Sequence, residues 1–253
     1  MRICRASAGT ETFYAVMEGD TLRPLRGTPF DGMEQDGRSI PLKDARLLAP
    51  VLPSKVVCIG KNYYAHAMEL KEGAPPEEPL IFLKPSTSVV GPEDEVEYPP
   101  DSKRLDYEAE LAIIIGKRCR NVQPGKYKDV IFGYTCLNDV TARDLQKSDG
   151  QWTRSKSYDT FCPIGPWIET ELDPFDVKVE ARLNGEVCQS DSTKSLIHDI
   201  DRLISYITRV MTLLPGDVIA TGTPAGIGPM QRGDTIEVEV AGIGILRNKI
   251  RIP

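Results

Sequence analysis

The clearest helical period in the chain is a single stretch, and this shortage of helix limits the fold more than any other feature. Between Ile200 and Leu214, the residues Ile200, Leu203, Ile204, Ile207, Val210, Met211 and Leu214 recur at i, i+3, i+4 and i+7. Elsewhere β signals dominate: LIFLK at 80 to 84, YEAELAIIIGK at 107 to 117, VIFGYTCLND at 130 to 139, VKVEARLNG at 177 to 185, DVIATG at 217 to 222 and TIEVEV at 235 to 240. Turn chemistry separates them, as in Asn184-Gly185, Pro215-Gly216-Asp217 and Arg232-Gly233-Asp234. A doubly wound parallel sheet needs crossover helices, so a mainly β fold with some α is predicted instead: an antiparallel or mixed β-sandwich or roll.

Residues 1 to about 51 carry short alternating segments, Thr12 to Met17 and Leu22 to Leu25, broken by Gly9, Gly19, Gly27, Pro29, Gly32 and Gly37. They read as a small N-terminal β-rich domain. After Pro50 to Pro53 the apolar run KVVCIG reads as the first strand of a main domain, 52 to 253. At 253 residues and 40% hydrophobic content the chain can bury a full core. Its net charge of -6, with no run of Lys and Arg, argues against nucleic acid or anionic membranes as partners. Charged residues interrupt the first twenty positions, and no apolar stretch is long enough to span a bilayer, so a cytoplasmic protein is expected. Six scattered cysteines lack zinc spacing and read as reduced thiols acting as small hydrophobes.

Chemistry-bearing residues cluster in a few places. On a strand Glu108 and Glu110 point to one face, roughly 7 Å apart. They could be solvent-facing, but LAIII follows, apolar on both faces, which points into a core. Two buried carboxylates repel, and a divalent cation is one remedy; oxygen-only ligands favour Mg²⁺ or Mn²⁺, with Ca²⁺ also admissible, over Zn²⁺. Asp139 ends an apolar run before VTARDLQK, either as a helix N-cap or as a third ligand. If that segment is helical, Asp139, Arg143 and Gln146 share one face, although a simple Asp139 to Arg143 ion pair would serve as well. His66 and Glu69 stand three apart, as a general base and its carboxylate or as a surface ion pair. The glycine-rich ATGTPAGIG at 220 to 228 holds Thr223 in a loop able to turn N-H groups toward an anion, or in a plain tight turn. Lys156 is one more cation, and His198 reads as structural. G-x-S-x-G, P-loop, H-E-x-x-H and Rossmann signatures are missing from the sequence.

Taken in order, GKNYYAH at 60 to 66, FLKPSTSVVG at 82 to 91, LDYEAELAIIIGK at 105 to 117, LNDVTARDLQ at 137 to 146, RSKSYD at 154 to 159 and LLPGDVIATGTPAGIG at 213 to 228 resemble the fumarylacetoacetate hydrolase family. The resemblance implies a mixed β-sandwich roll with a small N-terminal domain, usually as a homodimer. It implies a divalent metal, Mg²⁺ or Mn²⁺, on Glu108, Glu110 and Asp139, and a water oriented and deprotonated by His66 with Glu69. Arg143, Gln146, Lys156 and Thr223 match positions that contact oxygens of a small 2-oxo acid substrate. Such families include acylpyruvate and fumarylpyruvate hydrolases, oxaloacetate decarboxylases and 2-hydroxyhepta-2,4-diene-1,7-dioate isomerases. The His66 and Glu69 pair places this chain nearest the acylpyruvase-like branch. Recognition of the substrate's far end is expected on loops that include 65 to 79. A rival of another class is a metal-stapled binding module without turnover.

Overall fold

The structure is a computed structural model that describes residues 1–69 and 76–251. Five strands open the chain: β1 (Arg2–Ala8), β2 (Glu11–Glu18), β3 (Thr21–Pro24), β4 (Ile40–Pro41) and β5 (Arg46–Leu48). There follow β6 (Val56–Gly60), helix α1 (Tyr64–Glu69), β7 (Leu80–Lys84), β8 (Val89–Val90), β9 (Glu95–Val96), β10 (Leu105–Tyr107) and β11 (Ala109–Ile115). Next are β12 (Ile131–Asn138), β13 (Thr141–Ala142), α2 (Arg143–Asp149), α3 (Thr153–Lys156), β14 (Cys162–Glu169), β15 (Lys178–Leu183) and β16 (Glu186–Ser192). Helix α4 (Ile200–Val210) precedes β17 (Val218–Ala220), β18 (Gly228–Met230), β19 (Thr235–Val240) and β20 (Gly244–Ile250).

Among the described residues these strands make three sheets. The largest runs β4-β3-β2-β1-β14-β12-β11-β17-β6-β7, with β5 on β1 and β8 on β14. A second runs β16-β15-β19-β20-β9, and a small third runs β13-β10-β18. Most pairings are antiparallel; β17 with β6, β14 with β8 and β20 with β9 are parallel. The mixed, mainly β roll is therefore the observed fold. The N-terminal strands are continuous with the main sheet, because β1 pairs with β14 through Arg2 to Glu169 and Ile3 to Ile168.

Why β11 is apolar on both faces is visible in the packing. Leu111, Ile113 and Ile115 enter the main core with Val179 and Ala181 of β15, Val238 and Val240 of β19, and Leu203, Ile204 and Ile207 of α4. Ala112 and Ile114 enter a second core with Ile3, Val16, Leu25 and Val51 from the first fifty-one residues. A strand covered on both sides cannot alternate with polar residues, and each isoleucine so buried contributes about 1.5–3 kcal/mol.

Helix α4 stops four residues short of the predicted Leu214. Met211 is already extended, and Cys119 and Leu213 exchange both backbone hydrogen bonds, at 3.0 Å each, which pulls the chain out of the helix. The Asn184-Gly185 turn closes the β15–β16 hairpin with both residues at positive φ, as the right-handed twist of paired strands requires. No helix among the described residues is long and apolar enough to cross a membrane. Of the expected loop at 65 to 79, residues 70–75 lie outside the described residues.

Candidate metal centre and active-site cleft

Sheet geometry builds the acidic half of the site. Asp106, Glu108 and Glu110 alternate along the β10–β11 segment, and Asp139 follows directly on β12, the antiparallel neighbour of β11. The Asp139 N-H donates to Glu108 O at 2.9 Å, and the Glu108 N-H donates to Asn138 Oδ1 at 3.0 Å. These bonds fix the two strand ends against each other. As a result one carboxylate oxygen from each of Glu108, Glu110 and Asp139 lies within 4.8 Å of the others, all three residues being buried.

Three cations face this cluster. Lys156 Nζ donates to Glu108 Oε2 at 2.9 Å and to Asp139 Oδ2 at 2.6 Å. Arg143 donates through Nη2 to Glu108 Oε1, through Nε to Asp106 Oδ2 at 2.9 Å, and through Nη1 to Gln146 Oε1 at 2.5 Å. Lys84 Nζ lies 2.7 Å from Asp139 Oδ1, but its protons are spent on Val140 O, Lys156 O and Phe161 O at 3.0, 2.7 and 2.7 Å. Asp139 Oδ1 is thus paired by charge yet accepts no hydrogen bond.

Their environments push the acids apart. Burial alone would raise the Glu108 carboxyl, but the Lys156 and Arg143 cations outweigh it and hold the group below the usual carboxylate range. For Glu110, burial followed by the neighbouring Asp139 and Glu108 carboxylates drives the carboxyl well above that range, only partly countered by the Gly222 N-H at 2.7 Å. Burial lowers Lys156, but Asp139 and Glu108 more than restore it and leave the ammonium firmly charged. A buried acid kept from ionising by like charges, and a buried carboxylate oxygen with no donor, are both relieved by an oxygen-preferring divalent ion. The donor set fits Mg²⁺ or Mn²⁺ and lacks the nitrogen and sulfur typical of zinc.

On the facing wall, α1 carries His66 and Glu69 one turn apart, with His66 Nδ1 3.2 Å from Glu69 Oε2. His66 is only 5% exposed, which removes the surface ion-pair reading. Glu69 also accepts the Gly226 N-H, at 3.1 Å on Oε1, tying α1 to the glycine-rich loop. His66, the three acids, Arg143, Gln146, Lys156 and Thr223 all line a single cleft, together with Phe82 and Trp152.

Several details differ from the sequence reading. Asp139 precedes β13 and is not on α2, whose N-cap is Ala142, so it neither caps that helix nor shares its face with Arg143 and Gln146; the three meet because β13 turns the chain back along β10. Arg143 pairs with Asp106 and Glu108, and Asp139 pairs with the two lysines. The Thr223 hydroxyl donates to Ala109 O at 2.9 Å and accepts from Gln189 Nε2 at 2.9 Å, so its proton is committed to holding the loop on β11. Sequence reasoning missed Lys84, Asp106, Asn62 and Gln189. Asp106 could have been found as the third member of the i, i+2 alternation in LDYEAE, and Lys84 as the lone charge of LIFLK.

Comparison with known proteins shows the family. The family described as "Fumarylacetoacetate (FAA) hydrolase C-terminal" matches residues 55–251, and one described as "Rv2993c-like, N-terminal" matches residues 1–50. Protein Rv2993c of Mycobacterium tuberculosis is 47% identical over 260 residues, covering 99% of this chain and 98% of that one. A crystal structure of 5-carboxymethyl-2-hydroxymuconate delta-isomerase from Mycobacterium smegmatis superposes with a TM-score of 0.94 at 47% identity, covering 99% of both chains. Maleylpyruvate hydrolase from Sphingobium sp. SYK-6, in complex with manganese (II) ion and pyruvate, superposes with a TM-score of 0.81 at 33% identity, again over 99% of both. The chain belongs to the fumarylacetoacetate hydrolase family of enzymes.

Proposed function

We propose that this chain is a divalent-metal-dependent hydrolase of acylpyruvate- or fumarylpyruvate-type 2-oxo acids, cleaving a carbon-carbon bond by way of an enolate. One observation carries the reading: a cluster of three buried carboxylates and a buried His-Glu pair line the same cleft. Glu108, Glu110 and Asp139 would hold Mg²⁺ or Mn²⁺, which when bound would supply Lewis-acid stabilisation of the negative charge developing at the 2-oxo group.

The chain's own groups do the rest. Lys156 and Arg143, fixed by their carboxylate partners, present positive charge to the substrate's carboxylate and enolate oxygens, and Gln146, braced by Arg143, orients them. With Glu69 on Nδ1, the other ring nitrogen of His66 takes a proton from water as that water adds to the distal carbonyl. The bond between the acyl carbon and the pyruvyl carbon then breaks; its electron pair stays on the pyruvate enolate, which a proton returns to pyruvate, and the acyl group leaves as a carboxylic acid.

A second reading is favoured by the similar structure named as an isomerase: the same cleft, without water addition, would move a proton and shift a double bond. A panel of acylpyruvates, oxaloacetate and 2-hydroxydienoates, assayed with Mg²⁺ and Mn²⁺ and after chelation, separates the readings by product. Pyruvate plus a carboxylic acid supports hydrolysis. Rearranged substrate with no pyruvate overturns it in favour of isomerisation, and a chelator that lowers melting temperature with no turnover to lose leaves only a binding module.

A further inference from the structure

The base pair and the acidic cluster stand on different elements, so something must set the distance between them. Asn62 sits in the turn between β6 and α1, four residues before His66, and is completely buried. Its Nδ2 donates to His198 O at 3.0 Å and to Thr221 O at 2.7 Å, while its Oδ1 accepts the His198 N-H at 2.8 Å. Its own carbonyl accepts the Ile197 N-H at 2.8 Å. One amide thereby joins three segments: the start of α1, the stretch before α4, and the loop after β17.

That loop is the one that reaches both halves of the cleft. Its Gly222 N-H holds Glu110 and its Gly226 N-H holds Glu69. Gly222 also abuts Asn62 directly: it lies at φ +105, and a Cβ built there would fall 2.7 Å from Asn62 Cβ. Any side chain at 222 would force the loop off the asparagine. Removing the Asn62 amide would strand two buried carbonyls and one buried N-H and free α1 to move relative to the loop.

We propose that Asn62 is a positioning residue for the reaction, clasping the α1 turn to the Thr221–Gly222 loop so that His66 faces the carboxylate cluster at working distance. The proposal rests on the hydrolytic reading above and adds a residue that never touches substrate. A purely structural Asn62 would lower stability, and its loss would multiply with that of His66. A positioning Asn62 acts through His66, so the losses overlap.

The test is a double-mutant cycle of Asn62→Ala and His66→Ala on acylpyruvate hydrolysis at saturating Mn²⁺, with Mn²⁺ affinity of each protein measured by calorimetry. Asn62→Ala should lower kcat by about 30-fold with KM within about threefold, while the double variant should be no worse than His66→Ala by more than about threefold, the general base being already lost. Mn²⁺ affinity should stay within about threefold, because the ligands stand just before β11, on β11 and just after β12. Independent, multiplicative losses overturn the proposal, as does a Mn²⁺ affinity weakened more than about tenfold, which would place the action of Asn62 in the cluster. Should His66→Ala prove fully active, the hydrolytic base fails and Asn62 falls with it; if His66→Ala is impaired and the losses multiply, only Asn62 falls. If Asn62→Ala does not fold, Asn62→Asp, which keeps the acceptor for His198 N-H and loses the two donors, takes its place in the same cycle under the same criteria.

Discussion

The two walls of the cleft are built in opposite ways. The acidic wall grows out of paired strands in the interior: Glu110 lies within β11, Glu108 and Asp139 stand at the facing ends of β11 and β12, and residues of β11 are buried on both sides. The base wall is a six-residue helix, α1, too short to be stable alone, whose exposed Tyr64 and Met68 face solvent. It is held at its start through Asn62, which bonds His198 and Thr221, and at its end by the Gly226 N-H donating to Glu69. On the proposed reading a metal and the electron sink it would provide belong on the rigid wall, where a misplacement of an ångström costs most. On the same reading the water-activating base, which separates hydrolysis from isomerisation, stands on the other wall. Similar structures named as an isomerase and a hydrolase share this fold.

The comparison breaks first if the rigid wall can lose a ligand. Glu110→Gln is expected to remove metal-dependent turnover altogether while leaving a folded protein, because Gln keeps the bond from Gly222 and removes only charge. Activity after metal depletion and reconstitution, with circular dichroism as the control, checks this; undiminished turnover would show that Glu110 is no ligand. Glu108→Ala is a poorer test, since it leaves Arg143 and Lys156 short of a buried partner.

On the base wall, His66→Ala should lower acylpyruvate hydrolysis by roughly 10² to 10⁴ and spare oxaloacetate decarboxylation, if the enzyme shows it, because only hydrolysis needs an activated water. Equal losses in both, at saturating metal, would assign His66 to binding instead. Lys84→Met probes what supports the rigid wall from behind. Stripping the charge partner from Asp139 Oδ1 should cost about 3–5 kcal/mol in the metal-free protein, and Mn²⁺ should restore part of it by taking over the charge. Thermal unfolding with and without Mn²⁺ reads both numbers; an unchanged melting temperature would mean that Lys84 merely fills space.

Most of the rigid wall was legible in the sequence, and of the other wall the chemical pair was legible but not its placement. Period-two spacing brought Glu108 and Glu110 to one face, and the apolar LAIII said that face was interior. His66 and Glu69 were likewise legible as a one-turn pair, but the bonds that place α1 run from Asn62 to His198 and Thr221, across separations of 136 and 159 residues, which no local pattern encodes. Strand β14 escaped for a different reason. Pro163 and Pro166 mark a stretch as non-strand or edge, yet CPIGPWIE sits in the middle of the large sheet between β1 and β12. Its ladder with β12 is irregular between Tyr134 and Cys136, which lets a proline-bearing strand fit there. The path of Asp139 to Arg143 was misread because β13 is only two residues long, below what alternation can reveal.

The smallest expected effect concerns the charge stored in the rigid wall before metal arrives. Glu110 has its folded-state pKa raised by burial and by Asp139 and Glu108, so it binds its proton more tightly folded than unfolded. Its contribution to stability is therefore fully present below the ordinary glutamate pKa and is lost as pH rises toward the folded value. Glu108 has the opposite sign, its pKa being lowered: burial opposes the shift, and Lys156 and Arg143 overcome it, so its contribution is present above the ordinary value and fades in acid. Between the ordinary glutamate range and neutrality Glu108 is constant and Glu110 lowers the melting temperature of the metal-free protein as pH rises, whereas His198, whose pKa burial lowers, acts in the opposite direction. A loss of 1 kcal/mol corresponds to about 2–4 °C for a chain of this size. Glu110→Gln should flatten that slope, and so should saturating Mn²⁺, which replaces the proton as the compensating charge. A slope identical in wild type and Glu110→Gln would mean that the raised carboxyl does not titrate there and is not the feature that would make the rigid wall receptive to a metal.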